Sequence, residues 1–400
     1  MSENDPAIDP SSTVPPSTEL QPSLSTGGEV AVPPEWHPEL GLPVRDIAQK
    51  PRWPHPNLGW SFLWCLLFLF VTQVPGAVLV GVILAALAIL YPDTLPIGTL
   101  NRPDELYKSP AMNVALGVAF FITELLVIGF SWLVIRLVVG RDWTRQLALR
   151  LPGLAHTLLA LASFPALVLL ANIAYEILRK VLRVPSIADL GVPGMEQMVE
   201  VFSKWPWSFA VMVIGLGPGI GEELWCRGFL GRGLVGNYGV VFGVFATSFF
   251  FGFIHLDPCQ GAMAMLIGLW LHFVYLTTRS LLLPMLLHTF NNSLAVLITR
   301  VPQLQYIETQ PSDIPVLVYV SALLLMLGVA YALYQSRARL AAKMPEQILA
   351  WRPAFPGVEY PPAESGMRVV HPSPSPAAAG LAVACFLLFV LACAAWVVQG

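Results

Sequence analysis

Glu222, Glu223 and Arg227 stand within one short apolar stretch, and Phe251-Gly252-Phe253-Ile254-His255 and His288-Thr289-Phe290-Asn291-Asn292 follow in two more. An ionisable group at the centre of a bilayer costs about 3 kcal/mol on insertion scales, so these side chains must face protein or water rather than lipid. Residues four apart share a helix face. Glu223 is therefore placed to pair with Arg227, while Glu222, rotated by about 100°, points elsewhere and keeps a free carboxylate. Phe251 with His255 and His288 with Asn292 have the same i, i+4 spacing on one face each. A glutamate, two histidines and an amide could hold and activate a water: Glu222 takes its proton, an imidazole orients it, and His288 with Asn292 stabilises the oxyanion. The alternative is a metal centre. Glu222 or Glu223 with His255 and His288 would make a His₂Glu site with an open position, in which a divalent ion such as zinc lowers the pKa of bound water. Both readings are hydrolytic, and spacing alone does not choose between them.

Such residues need helices that cross or enter a membrane to hold them. Of the 400 residues 56% are hydrophobic and only 12% charged, about half the charged share of a soluble domain. Apolar runs of about 20 residues recur, and in lipid a helix satisfies its own backbone polar groups, so the fold class is all-α: a polytopic transmembrane bundle of about eight to nine spans. Residues 1–58 hold about a third of the 36 prolines and show no helical or strand period, which predicts a disordered Pro-rich cytosolic tail. Residues 59–207 carry three spans and an amphipathic stretch, Arg179 to Trp207, in which Met195, Met198, Val199 and Phe202 recur at helical spacing. Residues 208–300 form a compact unit of four closely spaced spans that contains all the chemistry above. An eighth span and a Pro-rich loop occupy 301–376, and a ninth span 377–400.

The net charge of -3 and the absence of a basic block argue against nucleic acid as a partner. The five cysteines, Cys65, Cys226, Cys259, Cys385 and Cys393, are scattered without zinc or disulfide spacing and read as small apolar residues. The N-terminus lacks a basic n-region before an apolar run, so no cleavable signal peptide is expected. An N-terminus in the cytoplasm puts Arg141, Arg145, Arg150, Arg337, Arg339, Lys343 and Arg352 inside, although Arg179, Lys180 and Arg183 fit this less well.

Other polar groups have plainer readings. A buried ion pair that fixes helix geometry suffices for Glu223 and Arg227, packing for Phe251, and an interhelical hydrogen bond for Asn292. Glu124 and His272, isolated in other spans, read as structural hydrogen-bonding groups, with a proton or ion pathway as the rival. Gly215, Gly217, Pro218, Gly219 and Gly221 permit close helix approach or local unwinding, and lack the Lys-Ser/Thr of a phosphate loop.

The three motifs, Glu222-Glu223-x₃-Arg227, Phe251-x₃-His255 and His288-x₃-Asn292, with Gly228 after the arginine and Leu283 to Leu287 before His288, resemble in order and spacing those of the CPBP family. These are the CaaX-protease and bacteriocin-processing membrane endopeptidases, which include type II prenyl-protein proteases, and the likeness covers about residues 205–300. It implies an intramembrane endopeptidase in which Glu222 is the base, His255 orients the water, His288 and Asn292 form the remaining polar wall, and Glu223 and Arg227 support them. Its substrate would be a membrane-associated or lipidated protein or peptide. The chain lacks the HExxH, Gly-x-Ser-x-Gly and Gly-x-Gly-Asp signatures of other protease chemistries. A non-catalytic scaffold or bacteriocin-immunity protein that keeps the fold is the alternative. A transporter would show internal repeats or charges spread over several spans, whereas here they cluster.

Overall fold

The computed structural model describes residues 35–37, 42–44, 56–185, 195–298, 300, 314–342 and 358–399. The expected disordered tail falls mostly outside them; within it, strands β1 (Glu35–His37) and β2 (Leu42–Val44) pair antiparallel, Glu35 opposite Val44. The protein is an all-α bundle. Among the described residues, seven helices are long and apolar enough to cross a membrane: α1 (Leu58–Leu90), α2 (Pro110–Val138), α3 (Leu154–Val181), α5 (Trp207–Tyr238), α7 (Pro258–Thr278), α9 (Val316–Gln335) and α10 (Pro376–Val398). Two expected spans are shorter. Helix α6 (Val240–Phe253) and helix α8 (Leu282–Ile298) have 14 and 17 residues, below the roughly 20 that a bilayer core requires. Part of the expected amphipathic stretch forms helix α4 (Met195–Ser203).

Local chemistry sets where these helices begin. The side chains of Asn57, Ser109 and Asp257 accept the N–H groups of Trp60, Met112 and Gln260, satisfying donors that the first turn leaves free. Pro110 and Pro258 follow two of these caps, where a missing N–H costs nothing.

Helix α5 lies at the centre. Of its most apolar window 56% is buried, against 17% for α1 and α10. It is not a uniform α-helix: Val211–Leu216 and Leu224–Leu230 are wound as π-helix on either side of the α-helical turn Gly217–Glu223. Pro218 lacks an N–H and its ring crowds the preceding turn, which the wider π winding relieves. Helices α1 and α2 pack together, and α2 packs on the Gly217–Glu223 turn; α8 covers α5 from Val211 to Glu223.

Two apolar cores flank this arrangement. One gathers Phe68, Trp225, Leu230, Phe251 and Met285, with Phe68 and Trp225 stacked at 4.7 Å. The other joins α3, α7, α8, α9 and α10 through Leu167, Leu271, Leu287, Leu325 and Ala382.

After α9 the chain forms a second antiparallel pair, β3 (Arg339–Ala342) with β4 (Met367–Val370). The described part of this connection, from Val358, docks on the bundle. The Arg145 guanidinium donates to Glu359 Oε1 at 3.2 Å and to the Tyr360 carbonyl at 2.6 Å. Arg279 donates to the Glu359 carbonyl, the Arg150 guanidinium lies over the Tyr360 ring, and the Tyr360 hydroxyl pairs with His371 Nε2 at 3.2 Å.

Candidate active site

Helix α5 presents both carboxylates from its short α-helical turn, and they go different ways, as their offset of one residue requires. Glu223 is fully buried; its Oε1 accepts from Arg227 Nη1 at 2.7 Å, and the arginine also donates to the Gly268 carbonyl at 2.9 Å. The same Oε1 accepts from His288 Nδ1 at 2.9 Å. Arg227, Glu223 and His288 therefore form a continuous chain across two helices, so that Glu223 orients an imidazole as well as neutralising a cation.

That chain fixes the tautomer. A carboxylate only accepts, so the His288 proton sits on Nδ1 and the Nε2 lone pair is left to face outward. It faces Glu222: Nε2 and Glu222 Oε2 are 3.9 Å apart. The Oε2 atom is buried and makes no hydrogen bond with the protein. At 3.9 Å the two groups cannot bond one another, whereas a water beside the line between them would reach both at ordinary hydrogen-bond length.

His255 is positioned otherwise than its spacing suggested. It lies beyond the end of α6, in the turn leading to α7, where its N–H bonds the Gly252 carbonyl. The helix must stop there, because Leu256 takes the left-handed conformation (φ 62°) and Asp257, preceding a proline, is extended. Its Nδ1 still reaches the Phe251 carbonyl four residues back, at 2.8 Å, so this imidazole too carries its proton on Nδ1 and leaves Nε2 open. A close crossing holds the hairpin: a Cβ on Gly252 would overlap the Gly261 carbonyl of α7.

Phe251 ties the two histidines together. Its ring meets His255 edge-on at 5.1 Å and His288 edge-on at 5.6 Å, and the Arg227 guanidinium lies 4.8 Å over its face. Asn292 stays with its neighbour: its Oδ1 accepts from Asn291 Nδ2 at 3.0 Å. Asn291, which points away from the face of His288, thus orients the amide that spacing singled out. Glu124, isolated in sequence, is the other group that motif reading undervalued, for it is an electrostatic neighbour of Glu222. His272 instead lies against Gly231 and lines, with Arg227, Arg232, Tyr275 and Glu359, a small cavity of about 30 Å³.

Among the described residues no group of three or more histidine, cysteine or acidic side chains is arranged to hold a metal ion. His255 and His288 each offer one open Nε2 of the kind that ligates a divalent ion.

Residues 204–294 match the family described as type II CAAX prenyl endopeptidase Rce1-like. Over these residues the chain is similar to that family. The match begins just before α5 and ends two residues after Asn292, so the matched segment holds every motif residue. Glu124 and the docked connection from Val358 lie outside it. No curated protein and no solved structure matches the chain.

Proposed function

We propose that the protein is an intramembrane endopeptidase that hydrolyses a peptide bond of a membrane-associated substrate, a protein or peptide bearing a prenylated cysteine near its C-terminus. The observation that carries this reading is the 3.9 Å gap between Glu222 Oε2 and His288 Nε2, both partly or wholly withdrawn from bulk solvent and both with open lone pairs. A water in that gap donates one hydrogen to each. As its oxygen attacks the scissile carbonyl carbon, Glu222 takes a proton, and negative charge moves to the carbonyl oxygen. Asn292 serves that oxygen: with its Oδ1 held by Asn291, its NH₂ is left to donate. The water's two hydrogens are then both committed, and His255, with its own Nε2 open, is the second imidazole that can take His288's place in orienting it. Glu222 then returns the proton to the leaving nitrogen as the C–N bond breaks, giving a carboxylate and an amine.

Each step runs on these side chains alone. A divalent ion such as zinc on His255 and His288 would supply Lewis-acid activation of the same water, and a chelator titration reads its contribution. Arg145, Arg150 and Arg279 gather where residues 358–371 dock, and by the positive-inside rule that end of the bundle, with the N-terminus, is cytoplasmic.

The test uses the full chain in vesicles with a quenched fluorescent peptide carrying a prenylated cysteine in a C-terminal CAAX sequence. Cleavage by the wild type and its loss in Glu222→Ala supports the proposal. Equal cleavage by both proteins sinks it, and cleavage of the unprenylated peptide at the same rate removes the substrate class.

A further inference from the structure

We propose that Glu124, outside the family segment, is a positioning residue for Glu222: its carboxyl carries a proton and donates it as a hydrogen bond to the Glu222 carboxylate. The role rests on the endopeptidase reading above.

Helix α5 is shaved on two sides. A Cβ on Gly217 would stand 2.6 Å from Glu124 Cγ and 2.7 Å from its Oε2, and one on Gly221 would press on Val127 and Ile128, so these two positions face α2. Gly215 and Gly219 face Thr289 and, respectively, Ser293 and Met285 of α8. At about 100° per residue, Glu222 falls on the arc between the two faces. One carboxylate can thus be reached by a side chain from α2 and by His288 from α8. The Gly217 notch is what admits Glu124: any side chain there would occupy the space its carboxyl fills.

The polar accounting points the same way. Glu124 Oε2 is buried without a hydrogen-bond partner in the protein, and Glu222, which turns its Oε2 to the water gap, is its electrostatic neighbour. Buried acidic oxygens rarely go unpaired, and two carboxylates that act on one another in apolar surroundings are mutually unfavourable unless a proton lies between them. Among the described residues, the elements packed here offer Glu124 no free cation. Helix α1, which packs along α2, has no charged residue, and Arg227 is committed to Glu223 and the Gly268 carbonyl. Accepted at Glu222 Oε1, the shared proton would leave Oε2 for the water, fixing the carboxylate in one rotamer.

The assay above, with Glu124→Leu and Glu124→Gln in proteins that unfold at the wild-type temperature, separates positioning from packing. Leucine keeps volume but removes the donor, and is expected to lower kcat at least about tenfold with KM within about twofold. Glutamine keeps a donor and is expected to stay within about threefold of wild type. Wild-type kcat in Glu124→Leu overturns the role, as does equal loss in both variants.

An activity-independent readout accompanies it: infrared difference spectra of the purified protein are expected to contain a protonated carboxyl band that vanishes in Glu124→Gln and shifts in Glu222→Gln. A spectrum in which Glu222→Gln leaves that band unmoved, or in which no such band depends on Glu124, overturns the pairing. If Glu222→Ala cleaves as wild type, the endopeptidase reading fails while the infrared coupling still decides the pairing. If Glu222→Ala is inactive and Glu124→Leu fully active, only the role of Glu124 fails.

Discussion

His288 Nε2 and Glu222 Oε2 confront one another across 3.9 Å, while the other nitrogen of the same ring is pinned to Glu223 at 2.9 Å. The imidazole thus has one nitrogen spent on structure and one kept for chemistry. Because Glu222 Oε2 has no protein partner, Glu222→Gln should remove the base without disturbing the fold. Cleavage is expected to fall by about 10²–10⁴, the range of general-base catalysis, at an unchanged unfolding temperature in detergent. A large drop in unfolding temperature would assign Glu222 to structure instead.

The Glu223–Arg227 pair should behave in the reverse way. Both side chains are buried, so Arg227→Leu strands a carboxylate and is expected to cost about 3–5 kcal/mol. The double variant Glu223→Leu with Arg227→Met should recover much of that stability. It should not recover activity, since His288 loses the acceptor that sets its tautomer. Denaturant titration beside the cleavage assay checks both halves, and a double variant with restored turnover would refute the orienting role.

Helix spacing around the site is expected to be equally intolerant. A Cβ on Gly219 would meet Thr289 Oγ1 and stand 3.0 Å from the Thr289 nitrogen and 3.1 Å from the Met285 carbonyl, and the latter two are backbone atoms that cannot rotate aside. Gly219→Val should cost about 1–3 kcal/mol through overpacking and lower kcat by moving α8, which carries His288. Gly98→Val, where a Cβ meets open space, is the control and should leave both unchanged.

Acid should loosen the docked connection. Burial, then the charges of His156, Arg150 and Arg279, holds the His371 imidazole below the ordinary histidine range. The undocked segment therefore binds the proton more readily, and docking is favoured above the ordinary value near 6.5 and weakened as pH falls from there toward the lower docked value. Hydrogen-exchange protection factors in residues 358–371, which remove the pH dependence of intrinsic exchange, are expected to fall between about pH 7.5 and about pH 5.5. His371→Gln should abolish the dependence, and a pH response retained in that variant would point to another group.

Much of the site was legible from spacing, because helix periodicity is local. It pairs Glu223 with Arg227 four residues on and turns Glu222 away, and α5 keeps that relation although π winding flanks it. What spacing does not carry is contact between distant parts of the chain. The bond from His288 to Glu223 spans 65 residues, and Glu124 reaches α5 only because Gly217 leaves room. His255 departs from its expected helix because a turn with Leu256 left-handed and Pro258 ahead ends α6 first. Helix α6 ends earlier than the expected span for a related reason: the backbone breaks at residues 254–257, where His255 and Asp257 interrupt the apolar run.

Phe251 contributes no acid, base or ligand, yet its ring stands between the guanidinium of Arg227 and two imidazole rings. Its ring acts as a shared wall: the guanidinium meets the ring face, where the aromatic electron density is negative, and the histidines meet the ring from the side. An aromatic side chain at this position thus lets a guanidinium and two imidazoles pack on one apolar surface, each against the part of the ring that suits it.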